Sequence, residues 1–230
     1  MTKLRSILFL VSMMLSALII GIVTLPALLR RDWSLAISKL WCRTCLFSLK
    51  VLCGIDDRVH GTEHLPSGAA IIASRHQSMW ETLRLTTLLP RPSFVLKKEL
   101  KHWPIFSWFA RRNGFIFIDR DAGASALRDM TNAAKRMASE GAQIIIFPEG
   151  TRVRPGEDAA FQPGVAALAK ALQVPTVPVS HDSGRYWIQP GPDKKPGTVE
   201  MTVLPAIPAP HDRKAYLSDL QAAIDGSPVA

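Results

Sequence analysis

Two short polar runs stand out because each follows directly on an apolar stretch. The first is Arg75-His76-Gln77-Ser78-Met79-Trp80-Glu81, after residues 69–74 (AAIIAS). The second is Pro148-Glu149-Gly150-Thr151-Arg152, after residues 143–147 (QIIIF). A histidine paired with a carboxylate can work as an oriented general base: the carboxylate fixes one ring nitrogen as N–H and leaves the other to take a proton. Positions five apart on an ideal helix point about 140° away from each other. His76 therefore meets Glu81 only if it sits in the turn before the helix that carries Glu81. In the second run Gly150 permits a tight turn, Thr151 offers a hydroxyl and Arg152 offers a fork suited to phosphate. Taken alone, a histidine near a carboxylate is most often a simple polar pair, and Glu149 with Arg152 a surface ion pair. Two such loops at strand ends of one sheet weigh against that.

The elements that must position these residues alternate in type after about residue 55. Strands are expected at 69–74, 94–96, 114–118 (GFIFI), 143–147, 174–179 and 198–204. Helices are expected after the first strand through residue 89, then at 104–110, 125–140, 165–172 and 213–224. The 125–140 segment carries Leu127, Met130, Ala134 and Met137 at helical spacing, with Gly141 as its stop. This alternation predicts an α/β fold with a largely parallel sheet flanked by helices. In such sheets sites gather beyond the carboxyl ends of the strands, where both polar runs fall.

Ahead of that domain, residues 6–29 carry no charge, a run long enough to cross a hydrocarbon core of roughly 30 Å. Gly21 and Pro26 offer places to kink or turn back. Lys3 and Arg5 precede the run, and Arg30, Arg31, Lys39, Arg43 and Lys50 follow it. Positive residues on both sides fit a segment that dips into one leaflet and returns; a single span is the alternative. Residues 33–52 then read as an amphipathic helix, lying on the bilayer or packed on the following domain. The expected division is 1–54 for N-terminal membrane-associated helices and 55–230 for the α/β domain.

The chain holds 28 Lys and Arg against 19 Asp and Glu, a formal charge of +9. An excess of this kind suits an anionic membrane or a phosphorylated substrate. No nucleic-acid reader motif accompanies it. Cys42 and Cys45 form a C-x-x-C, but no second pair or nearby histidine completes a zinc site, so they and Cys53 read as small apolar residues on a membrane-facing helix. Lys97, Lys98 and Lys101 read as a solvated basic face, with phosphate contact as the alternative.

HQSMWE and FPEGTR together resemble the signature of the glycerolipid acyltransferase superfamily, whose bacterial lysophosphatidate acyltransferases carry H-x4-D and F-P-E-G-T-R blocks. GFIFIDR (114–120) is similar to the family's second block and VPTVPV (174–179) to its fourth. KKELKHWPIFSW, FQPGVAAL and the helix-bearing N-terminus also fit, in the family's order along nearly the whole chain. One departure is Glu81, where the family has Asp; Glu is one methylene longer and still reaches an imidazole.

The resemblance implies an acyltransferase of phospholipid biosynthesis. His76 would be the general base and Glu81 its orienting carboxylate, while Arg120, Glu149, Gly150, Thr151 and Arg152 would bind the acceptor's phosphate and glycerol. The acyl group would pass from acyl-CoA or acyl-ACP to the sn-2 hydroxyl of lysophosphatidic acid, giving phosphatidic acid. The enzyme would work without cofactor or metal, at a membrane phospholipid surface and not on nucleic acid. The implied location is a bacterial inner membrane, with the catalytic domain on the cytoplasmic face. Glycerol-3-phosphate or another lysolipid, including a lyso-aminolipid, is the alternative acceptor. A thioesterase or other hydrolase would use the same base on water, and a non-catalytic lipid-binding module would need neither loop. No G-x-S-x-G elbow marks a serine nucleophile, and Ser78 lies too near His76 in sequence to suggest one.

Overall fold

Runs of β-branched residues with no polar interruption build the centre of the molecule. In the computed structural model, which describes residues 2–119, 122–157, 159–209 and 212–228, Ala70–Ser74 (β2), Gln143–Ile146 (β5) and Thr176–His181 (β6) are buried on both faces. That pattern is the mark of a parallel strand covered by helices on each side. With Ile55–His60 (β1), Pro92–Lys97 (β3), Ile116–Ile118 (β4) and Gly197–Val203 (β7) they form one sheet of order β1-β7-β6-β2-β5-β3-β4. The pairs β6–β2, β2–β5, β5–β3 and β3–β4 are parallel, and β7 reverses direction against β6.

The two faces are read from alternate residues. Ile72, Phe94 and Ile145 enter one core with Arg31–Cys53 (α2) and Trp80–Leu88 (α3). Ile71, Val95, Ile144 and Ile146 enter the other with Gly123–Ser139 (α5), Pro163–Leu172 (α6) and Arg213–Asp225 (α7). The helices Thr2–Val23 (α1) and Phe106–Arg112 (α4) lie on the α2 side, where each contacts α2. The largely parallel, helix-flanked sheet expected from the sequence is present.

Two expectations change. The strand β1 has no counterpart in the sequence reading, because IDDRVH puts two aspartates into an edge strand with only alternate residues turned inward. The cysteines do not face a membrane: Cys42, Cys45 and Cys53 share one stripe of α2 with Leu49 and are 1–6% exposed in the core. That stripe packs on the domain, whereas Leu40, Phe47 and Val51 on the other side of α2 stay exposed.

Helix α1 is fastened near both ends. Phe9 is fully buried edge-on to Trp187 at 5.3 Å, and Lys194 Nζ lies 4.6 Å from the Trp187 ring and 5.0 Å from Phe9. The Lys194 amide donates to Ser6 Oγ at 3.2 Å. At the far end Gly21 lies so close to Ile105 that a Cβ there would overlap it. Between these fastenings Val11, Met14, Leu15, Leu18 and Ile19 point outward, 47–71% exposed. The apolar stretch Lys3–Val23 has a mean hydropathy of 2.6.

Candidate active site

β2 ends at Ser74 and α3 begins at Trp80, so residues 75–79 form the turn that the spacing of His76 and Glu81 requires. His76 Nδ1 donates to Glu81 Oε1 at 2.8 Å, so the longer carboxylate side chain reaches the ring. Glu81 is itself wholly buried and accepts from the amides of Gln77 and Ser78 and from the hydroxyls of Ser78 and Ser183. Its place in the first turn of α3 adds the favourable end of the helix dipole. Burial alone would raise the Glu81 pKa, but the His76 hydrogen bond and the neighbouring histidines outweigh it and bring the pKa down to about 2. Glu81 is therefore a fixed anion.

The second loop leaves β5 directly beneath the first. Phe147 stacks on the His76 ring at 4.0 Å with the planes 14° apart, and the Val153 amide donates to the His76 carbonyl at 2.8 Å. The turn between them depends on Gly150, whose φ of 73° lies in the left-handed region. Glu149 points inward, 6% exposed, with Oε2 buried and unbonded, beside a small cavity it shares with Arg75 and Asp225. Burial pushes the Glu149 pKa up to about 7, against the pull of backbone amides, including that of His76, and of Arg75. Thr151 and Arg152 are exposed on the outer part of the loop. Arg120 lies outside the described residues.

The end of β6 and the loop after it complete the site, a contribution not anticipated from the sequence. His181 is buried, with Nε2–H donating to the Arg75 carbonyl at 2.9 Å and Nδ1 accepting from the Ser183 amide at 3.4 Å. Burial lowers its pKa, against the attraction of Glu81. Ser183 Oγ reaches Glu81 Oε2 at 3.1 Å and Ser78 Oγ at 2.8 Å. The Gly184 amide donates to Gln77 Oε1 at 3.1 Å, and a side chain at Gly184 would press on Pro155 and Gln77. The available signal was the run SHDS immediately after an apolar strand, the same arrangement that marks the other two loops.

The chemistry this arrangement offers is proton abstraction. With Nδ1–H committed to Glu81, a neutral His76 carries its lone pair on Nε2. Ser78 is tied to Glu81 within a buried network and is placed as a support, not a nucleophile. Lys98 pairs with Asp119 at 2.6 Å, while Lys97 and Lys101 stand exposed.

Comparison with known proteins bears on this geometry. A family model described as Acyltransferase matches residues 57–182. The 1-acyl-sn-glycerol-3-phosphate acyltransferase of Pseudomonas aeruginosa is 33% identical over 219 residues, covering 94% of this chain and 85% of its own. The human 1-acyl-sn-glycerol-3-phosphate acyltransferase alpha is 31% identical over 172 residues, covering 72% of this chain and 60% of its own. The fold matches the crystal structure of the 1-acyl-sn-glycerophosphate acyltransferase PlsC of Thermotoga maritima, with a TM-score of 0.81 over 98% of this chain and 96% of that one, at 22% identity. The matched family region contains both the His76 loop and the FPEGTR loop that packs against it, and the chain belongs to the acyltransferase family.

Proposed function

We propose that the protein transfers a fatty acyl group from acyl-CoA or acyl-ACP to the sn-2 hydroxyl of lysophosphatidic acid, giving phosphatidic acid. The observation that carries this reading is the 2.8 Å bond between His76 Nδ1 and the buried carboxylate of Glu81, in a chain of the acyltransferase family. Nε2 takes the acceptor's hydroxyl proton as that oxygen attacks the thioester carbonyl. The resulting imidazolium is stabilised by Glu81. The tetrahedral intermediate collapses, the carbon–sulfur bond breaks, and the thiolate leaves with the proton returned from His76. The bonding Glu81 accepts keeps the imidazole preoriented throughout.

Gly150, Thr151 and Arg152, with Arg120, hold the acceptor's phosphate and glycerol. Glu149 serves the same cradle from beneath, where its burial suits bracing of the loop. The acceptor follows from the names of the relatives, which specify 1-acyl-sn-glycerol-3-phosphate. Residues 1–54 act as the membrane unit and 55–230 as the acyltransferase domain, with the change falling at Gly54, which ends α2. Helix α1 lies in the plane of one leaflet: it is fastened to the domain at Phe9 and again at Gly21, so it has no free end to carry across the bilayer. Basic residues on both sides of the apolar run fit the cytoplasmic face of a bacterial inner membrane.

The test is an acceptor panel with the purified full-length protein in detergent and labelled oleoyl-CoA or oleoyl-ACP. Lysophosphatidic acid should be converted to phosphatidic acid, and glycerol-3-phosphate and lysophosphatidylcholine should be poor acceptors. Equal thioester loss with and without acceptor would sink the transferase reading in favour of a hydrolase.

A further inference from the structure

The crossover between β3 and β4 carries features that the catalytic site does not use. Lys98–His102 forms a short helical turn that leads through Trp103 and Pro104 into α4. Trp103 is 62% exposed and Trp108 is 45% exposed, although tryptophan is the side chain with the most apolar surface to hide. Between residues 97 and 112 stand Lys97, Lys98, Lys101, Arg111 and Arg112 against the single carboxylate Glu99. Lys98 is balanced by Asp119 and Lys97 approaches Glu99 at 3.8 Å; Lys101 and Arg111 lie on the exposed surface.

The same segment is built onto the apolar helices. Ile105 packs on Gly21, and Arg112 donates to the Leu29 carbonyl, where Leu29 is 75% exposed. Ile105 makes this contact from a φ of 63° and ψ of −64°, and the Phe106 amide bonds back to the Pro104 carbonyl at 2.6 Å. That is a strained γ-turn for a β-branched residue. Helix α4, which carries the exposed Trp108, thus sits against residues 25–29, where Leu25 and Leu29 are also exposed.

We propose that residues 98–112 form a second membrane contact, in which Trp103 and Trp108 enter the interfacial layer and Lys101 and Arg111 engage the phosphates of anionic lipids. The inference rests on the reading of α1 as an in-plane anchor and adds to it anionic-lipid contacts at a site separate from Lys3 and Arg5 at the start of α1. A bilayer is the occupant because the segment is built against α1 at Gly21 and against the exposed Leu29, and mixes indole with cations, the composition of a membrane interface. Contact at both α1 and the crossover sets the tilt of the sheet relative to the bilayer.

The experiment uses the full-length protein and vesicles of phosphatidylcholine, alone or with about one-third phosphatidylglycerol. Flotation compares wild type, Lys101→Gln/Arg111→Gln, Trp103→Ser/Trp108→Ser, and Leu15→Asp/Leu18→Asp on α1. Each variant is first checked by circular dichroism. The charge variant should bind phosphatidylglycerol vesicles about thirtyfold more weakly while binding neutral vesicles as wild type does. Brominated lipids should quench wild-type fluorescence more than that of Trp103→Phe/Trp108→Phe. Wild-type binding by both crossover variants, alongside loss of binding in the α1 variant, overturns this proposal and leaves the anchor reading intact. Full binding by the α1 variant overturns the anchor reading itself. A wild-type dimer in detergent that Trp108→Ser dissociates, with no change in lipid binding, would replace the bilayer by a second copy of the chain.

Discussion

Replacing Glu81 by Gln keeps the shape of the side chain and removes its charge, which isolates what the anion contributes. The Glu81 pKa is held at about 2, against an ordinary value of 4.5. At 1.36 kcal/mol per unit, that difference corresponds to about 3 kcal/mol favouring the charged form in the folded protein. Since the folded pKa is the lower one, this stability is fully present above about pH 4.5 and is lost as pH falls toward 2. In Glu81→Gln the amide oxygen can still accept from His76 Nδ1, but the NH2 group replaces Oε2. It then meets the Ser78 amide, which has no lone pair to offer it, and forces the Ser78 and Ser183 hydroxyls to turn around. We expect Tm at pH 7 to fall by about 6–12 °C, and the gap from wild type to narrow as pH drops below about 4.5. The tautomer survives but the imidazolium loses its counter-charge, so kcat should fall about a hundredfold. The assays are thermal unfolding from pH 3 to 8 and transfer of labelled oleate to lysophosphatidic acid. A variant melting within a degree or so of wild type at pH 7, with near wild-type kcat, would refute the reasoning.

Glu149 behaves with the opposite sign. Its pKa of about 7 means that the folded state favours the neutral form, so it costs stability progressively from about pH 4.5 to 7 and by about 3 kcal/mol above that. Glu149→Gln should therefore gain stability over wild type at pH 8 and match it near pH 4.5; a pH-independent difference in urea midpoint would contradict this. Ser183→Ala removes one donor to Glu81, which should cost about 1–2 kcal/mol and lower kcat severalfold with little change in KM. If both KM and kcat stay at wild-type values, Ser183 does not help to position Glu81. Gly21→Val sets a branched side chain against Ile105 and should cost about 1–3 kcal/mol, with faster proteolysis around residues 98–112. Unchanged proteolysis would show that α1 is not fastened there.

How far the sequence reveals this molecule depends on whether the signal is local. The central strands β2, β5 and β6 were legible because burial on both faces demands continuous apolar runs. The pairing of His76 with Glu81 was legible because only a strand–turn–helix joins positions five apart. The edge strand β1 was not, since its aspartates contradict strand composition and its partner β7 lies about 140 residues away. The face of α2 was misassigned for a related reason: a stripe of cysteines has the same spacing whether it faces lipid or a sheet. The contribution of His181 and Ser183 depends on β6 lying beside β2, a neighbour relation that only the sheet order supplies. Glu149 was legible as part of a motif, but its inward direction follows from the turn at Gly150.

The central claim is that His76 is the base that activates the acceptor. Its most direct test is single-turnover acyl transfer from labelled oleoyl-CoA to lysophosphatidic acid by wild type and His76→Ala, in detergent at matched folded fraction. The account predicts that phosphatidic acid formation falls about a hundredfold to ten-thousandfold in the variant. Because the His76 hydrogen bond helps to hold the buried Glu81 ionised, thermal stability should also fall, which is why the two proteins are compared at matched folded fraction. Phosphatidic acid formed at the wild-type rate by a folded His76→Ala protein would contradict it.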